Sequence, residues 1–259
     1  MDWISATAGF GVGVVVGLTG IGGGALMTPI LVMAFGVEPQ TAVGTDLLFA
    51  SITKLFGAAV HQQRGTVDWQ VVRRLAAGSV PAAAATALAL WWLEAARIKG
   101  GLILNALGLA LVLTAAGLIL KMQLHALGRR RRTATPASFK AMQPALTVLS
   151  GVVLGVLVTL TSVGAGALGT VMLVYLYPLR LTPSRLVGTD LAHAIPLALT
   201  AGAGHLALGN VDFSLLGNLL AGSIPGILLG ALLSTRIPEG IVRVAIALVL
   251  LVIGARLLA

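Results

Sequence analysis

Residues 101–120, GLILNALGLALVLTAAGLIL, run without one charged side chain. A helix of about twenty residues spans roughly 30 Å, the thickness of a bilayer's hydrocarbon core. Similar stretches recur near 4–19, 22–36, 45–60 and 75–92, and again near 144–162, 164–178, 188–207, 214–233 and 241–258. Those at 22–36 and 164–178 are short. The chain is 58% hydrophobic and 10% charged, against about a quarter charged in soluble domains, so no soluble domain remains to be placed. The pattern predicts an all-α polytopic membrane protein of two halves, with about five apolar segments in each. The first segment has neither a basic leader nor a small-residue cleavage site, and reads as structure and not as a removed signal peptide.

Cysteine is absent, which excludes disulfides, thiolate metal sites and cysteine nucleophiles together. A net charge of +9 would suggest nucleic acid in a soluble protein, but here its location matters more than its size. Lys121, Arg129, Arg130, Arg131, Arg132 and Lys140 all fall in KMQLHALGRRRRTATPASFKAMQ, residues 121–143, which holds no acid. By the positive-inside rule this loop is cytoplasmic, with recognition of anionic lipid headgroups as the alternative reading. The organisation expected is a first transmembrane repeat at 1–120, a basic cytoplasmic linker at 121–143 and a second repeat at 144–259.

The halves are duplicates. Residues 39–81 align without gaps on 183–225, and VGTDL occurs at 43–47 and again at 187–191. His61 meets His205, RGTVDW (64–69) meets LGNVDF (208–213), and AGSVP (77–81) meets AGSIP (221–225). Upstream, GGGALMTPIL (22–31) matches GAGALGTVML (164–173) after a two-residue length change. Duplicated membrane halves are the usual build of secondary transporters. Basic residues suggest how the halves are related. Counting back from the cytoplasmic linker puts VEPQTAVG (37–44), without a basic residue, outside and HQQRGTVDWQVVRR (61–74) inside. If segments six and seven together return the chain to the inside, RLTPSRLVG (180–188), with Arg180 and Arg185, is also inside and LALGNVDF (206–213) outside. The basic residues move with the flip, which favours inverted over parallel repeats, with both termini outside.

Glycine is concentrated where the short segments begin. Gly20, Gly22, Gly23 and Gly24 in GLTGIGGGALMTPIL, and Gly164 and Gly166 in the second half, join apolar segments with almost no polar linker to turn in. Glycine supplies positive φ and close backbone approach, and irregular backbone at membrane depth is tolerated where it lines a cavity or is buried in protein. A broken or re-entrant helix pair in each half, with N–H groups at a helix start facing an anion, is the preferred reading; tight packing or a plain turn is the alternative. With the duplicated Thr45 and Thr189, these glycines are the candidate substrate-binding residues. By contrast Gly222, Gly226 and Gly230 have the four-residue spacing of close helix packing in lipid.

GLTGIGGGALMTPIL, AVGTDLLFASITKLFGAAVHQQRGTVDW and LVGTDLAHAIPLALTAGAGHLALGNVDF resemble the sulfite exporter TauE/SafE family of membrane transporters, over nearly the whole chain. The resemblance implies a permease of the bacterial inner membrane for small sulfur-containing anions such as sulfite, sulfoacetate or another organosulfonate. In that family serine commonly follows the Gly-Thr pair, where this chain has Asp46 and Asp190, and Ala165 and Ala167 stand among the glycines of the second motif.

An aspartate within a membrane segment is expensive and by default functional. A carboxylate repels an anionic substrate, so Asp46 and Asp190 are candidates for a coupling proton or Na⁺. The alternative makes Thr45 a helix N-cap, with Asp46 in the first turn. His61 and His205 follow their aspartates by about one helix length and are candidate relay groups, or interfacial histidines satisfied by water or a carbonyl. Lys54, midway along its segment, could neutralise a buried acid or bind the anion, and its duplicate is Ala198. His193 shares a helix face with Asp190. No HExxH, GxSxG or P-loop spacing is present, so an intramembrane enzyme or a non-transporting assembly subunit is the lesser reading. The partners expected are a small anion, membrane lipid and a coupling ion, with no cofactor, no metal centre and no nucleic acid.

Overall fold

A computed structural model describes residues 3–19, 24–95, 102–233 and 239–258. Within them the chain forms helices and no strand: α1 (Trp3–Thr19), α2 (Gly24–Met33), α3 (Pro39–Gln63), α4 (Trp69–Ala95), α5 (Leu102–Ala134), α6 (Pro136–Thr161), α7 (Ala167–Leu176), α8 (Pro183–Ala207), α9 (Phe213–Leu233) and α10 (Glu239–Leu258). Six of these, α3, α4, α5, α6, α8 and α9, are long and apolar enough to cross a membrane. The ten-residue α2 and α7 reach only about 15 Å.

The core is apolar, but large apolar side chains also cover the outside and several polar ones are buried. Leu88, Trp92, Ile119, Leu228 and Val252 are exposed, while Thr28, Asp46, Lys54, Ser79, Asp190, His193 and His205 are buried. Water offers no reason for that distribution, but a hydrocarbon solvent does.

Small residues let the helices approach backbone to backbone, since in lipid close packing replaces the hydrophobic drive. Along α1 and α9, Gly222 abuts Ala6 and Gly226 abuts Phe10, each so closely that a Cβ would overlap the facing carbonyl. Gly230 does not enter this account, but the pair Gly222 and Gly226 behaves as the spacing predicts. Along α4 and α6, Gly78 meets Val148 and Gly151 meets Leu75 in the same manner. The duplication equates α1 with α6 and α9 with α4, so these two contacts are counterparts.

The centre is the pairing of α3 with α8. Gly44 lies against His205, Gly57 against Leu191, Gly188 against His61 and Gly202 against Leu48. Numbers rise on one helix as they fall on the other, so α3 and α8 run antiparallel. Their ends are stitched reciprocally. Thr45 Oγ1 accepts from Asp212 N at 3.0 Å, and Thr189 Oγ1 accepts from Asp68 N at 3.0 Å. The loops after α3 and α8 turn at Gly65 (φ 62) and Gly209 (φ 76), which is the backbone reason for glycine at those duplicated positions.

Two sequence expectations change. Residues 121–143 are not a loop: α5 continues through the four arginines to Ala134 and α6 begins at Pro136. Leu, Ala, Met, Gln, Lys and Arg are good helix formers, and the extension is anchored by Gly128 against Tyr175 and by His125 Nε2 donating to Pro178 O at 3.1 Å. The alternative that made Thr45 a helix N-cap does not hold either. α3 begins at Pro39 and α8 at Pro183, with Thr182 as its N-cap, so both GTD triplets lie inside helices. A proline fits the first turn, where its missing N–H costs nothing, and the polar turn it opens was hidden from an apolar-run reading.

Candidate transport site

The two aspartates of the GTD triplets are fully buried on the central helices, Asp46 on α3 and Asp190 on α8. The short helix of the same repeat meets each of them. Thr28 of α2 donates from Oγ1 to Asp46 Oδ2 at 2.6 Å. On the other side the Asp190 carboxylate rests against Gly169 of α7, in space a Cβ would fill. The matched threonine, Thr170, turns back on its own helix and donates to the carbonyls of Gly166 and Ala167, both at 2.8 Å. The duplicated aspartates therefore sit in different surroundings. Asp46 Oδ1 and Asp190 Oδ1 are both buried without a hydrogen-bond partner.

Lys54 lies about two turns beyond Asp46 on α3, and the antiparallel register brings it between the levels of the two aspartates. Its buried ammonium acts electrostatically on both carboxylates, more strongly on Asp190. Lys121 of α5 acts on Asp190 as well. Buried charge at membrane depth is expensive unless charge of opposite sign lies near it, and these groups place one ammonium within electrostatic reach of two carboxylates.

The break before α7 is the described Gly-rich junction. α6 stops at Thr161, Ser162 takes the left-handed conformation (φ 58), Gly164 has φ 118, and Gly166 caps α7. Residues 162–166 are buried, so the chain changes direction inside the protein and not at a surface. Gly20, Gly22 and Gly23 lie outside the described residues, and Gly24 opens α2.

The histidines divide. His193 is buried and shares a 2.8 Å hydrogen bond between Nε2 and Ser79 Oγ, tying α8 to α4; its Nδ1 has no partner. It shares no hydrogen bond with Asp190, although both lie on α8. His205 donates from Nε2 to Thr159 O of α6 at 2.8 Å. His61 is partly exposed and pairs through Nδ1 with Thr66 Oγ1 at 2.8 Å, closing the end of its own helix.

Thr28, Ser162, Ser79 and Gly169 are absent from the sequence-based site candidates, and Lys121 enters there only as a basic residue of the 121–143 stretch. Thr28 and Ser79 had a signal, since Thr28 and Thr170 are identical in the aligned Gly-rich motifs and Ser79 and Ser223 in AGSVP and AGSIP; Ser162 becomes visible only through contacts with distant segments. A second missed group lies at the end of the bundle, where Arg180 binds Asp68 through two hydrogen bonds, 2.7 and 2.9 Å, and Gln70 at 2.8 Å. Its guanidinium lies 5.8 Å from the ring centre of Tyr177.

Comparison with known proteins agrees with this picture of a membrane carrier. A family model described as sulfite exporter TauE/SafE matches residues 5–257. The chain is 42% identical over 218 residues to the probable membrane transporter protein YjnA of Bacillus subtilis, covering 82% of each chain. It is 26% identical over 249 residues to the probable membrane transporter protein YdhB of the same organism, covering 96% of this chain and 97% of that one. No solved structure matches.

Proposed function

Because the chain belongs to the sulfite exporter TauE/SafE family of membrane transporters, we propose that it is a secondary transporter of the bacterial inner membrane for a small sulfur-containing anion, sulfite or an organosulfonate. The observation that carries the site is Lys54 buried between Asp46 and Asp190 on the paired helices α3 and α8. An ammonium fixed at the centre is the group an anion would meet. A cation or proton taken up by one carboxylate would release that ammonium to the substrate, which couples the two fluxes without any covalent step. The break at Ser162 to Gly166 and the short helix after it supply the discontinuous backbone typical of such sites.

The same reading includes inverted repeats. A two-fold axis in the membrane plane turns a crossing helix end for end, whereas an axis along the membrane normal leaves its direction unchanged. The antiparallel α3 and α8, and the exchange of Thr45 with Asp212 and Thr189 with Asp68, support the first. The test is counterflow of radiolabelled sulfite and of a labelled organosulfonate in proteoliposomes. Saturable exchange unaffected by ATP is the expected result; absence of exchange for every such anion, in protein that is folded and inserted, rejects the function.

A further inference from the structure

We propose that Asp46, Thr28 and Ser162, with the C-terminal end of α6, form a binding site for a small alkali cation, sodium under physiological conditions. This rests on the transporter reading and deepens it by naming the coupling ion. The groups come from three separate elements and offer only oxygen, the ligand type preferred by hard cations. Thr28 gives its proton to Asp46 Oδ2, which leaves the lone pairs of its hydroxyl available. Asp46 Oδ1 and Ser162 Oγ are buried and have no hydrogen-bond partner. The Ser162 hydroxyl is near enough to Asp46 to act on its carboxylate, yet it stands outside hydrogen-bond geometry. Buried oxygens gathered without partners are what a bound cation would satisfy.

Two independent features give the site its sign. α6 ends at Thr161 with Ser162 N bonded to Val158 O at 2.7 Å, so the negative end of a helix lies beside a carboxylate, an arrangement that favours a cation and repels an anion. Ser162 also holds a left-handed φ of 58, a conformation glycine adopts without strain, and the aligned position in the first half is Gly20. A serine kept where glycine is easier implies a use for its hydroxyl. The duplicate site lacks these features. Asp190 lies within the electrostatic influence of Lys54 and Lys121, and Thr170 bonds its own helix. Lys54 also acts on Asp46, but more weakly than on Asp190.

The experiment uses the purified full chain and radiolabelled sodium, with anion counterflow measured beside it in liposomes. Saturable sodium binding is expected, displaced by lithium or unlabelled sodium and not by choline. Ser162→Gly keeps the backbone at ease and removes only the hydroxyl, so it should fold as the parent does and bind sodium at least about tenfold more weakly. Thr28→Val should act in the same direction, while Thr170→Val at the duplicate position should change affinity less than about twofold. Sodium binding unchanged in Ser162→Gly overturns the site. So does anion counterflow that is identical in sodium and in choline and is driven by protons alone, although that result leaves the transporter reading standing. Counterflow absent for every anion, with sodium bound as described, rejects the substrate reading and keeps the cation site.

Discussion

The hydroxyl of Thr45 on α3 accepts the backbone N–H of Asp212, in the loop after α8 of the other repeat, at 3.0 Å. Its duplicate, Thr189, does the same for Asp68. The entry to each central helix is thereby tied to the exit from its partner, and under inverted repeats those two ties lie on opposite sides of the membrane. Cysteines at Glu38, just before α3, and at Ser184, in the first turn of α8, both exposed positions, report this directly. Glu38→Cys should react with an impermeant thiol reagent from outside, and Ser184→Cys only after permeabilisation. The chain has no native cysteine, so both reacting from one side would exclude inversion.

Gly169 has no room for a side chain because the Asp190 carboxylate occupies it. Gly169→Val should abolish anion counterflow while the protein still inserts. Gly217, with nothing near the position of its missing Cβ, is the control, and Gly217→Ala should transport normally. Normal counterflow in Gly169→Val would separate Asp190 from the pathway.

Removing Lys54 leaves buried carboxylates without their shared ammonium. Lys54→Met should lower stability by about 3–5 kcal/mol, the usual penalty for stranding a buried charge. Adding Asp190→Asn should recover a large part of it, because Lys54 acts electrostatically more on Asp190 than on Asp46. Thermal unfolding in detergent measures both. If Lys54→Met is as stable as the double variant, the lysine is not the partner of Asp190.

Glycines at helix crossings predict a purely structural effect. Gly222→Ala on α9 drives a methyl group into the Ala6 carbonyl of α1, and about 1–3 kcal/mol of destabilisation is expected from such overpacking. Substrate affinity in the protein that remains folded should be unchanged. A shifted affinity at unchanged stability would mean that α1 and α9 form part of the site.

Much of this was legible in the sequence because the solvent imposes it. The length of 101–120 and the Gly222 and Gly226 spacing express one-dimensional constraints of a bilayer, and the VGTDL repeats are legible because the duplication is written in the sequence itself. Lys54 could be flagged from its depth alone. What escaped detection depends on contacts between distant segments. Thr28 finds Asp46 only once α2 folds back on α3, and Ser162 matters only because its helix ends beside them. The starts of α3 and α8 were missed for a different reason, since their first turns are polar and an apolar window begins too late. The four arginines suggest a loop because charge marks the aqueous side, but charge does not by itself break a helix, and α5 runs through them.

Asp68 and Asp212 cap their helices alike, accepting from Val71 N at 3.3 Å and from Leu215 N at 2.9 Å, but among the described residues only Asp68 is also bound by an arginine, Arg180. Two identical inverted halves would be obliged by symmetry to spend equal time open to either compartment. A fastener on one side removes that obligation. For a pair whose arginine is 41% exposed, about 1 kcal/mol is a reasonable strength, enough to tilt the resting population roughly fivefold. Under the orientation proposed here, the fastened end faces the cytoplasm. The carrier would then wait with its outer mouth open, and Arg180→Gln would level the balance without touching the site that binds cargo.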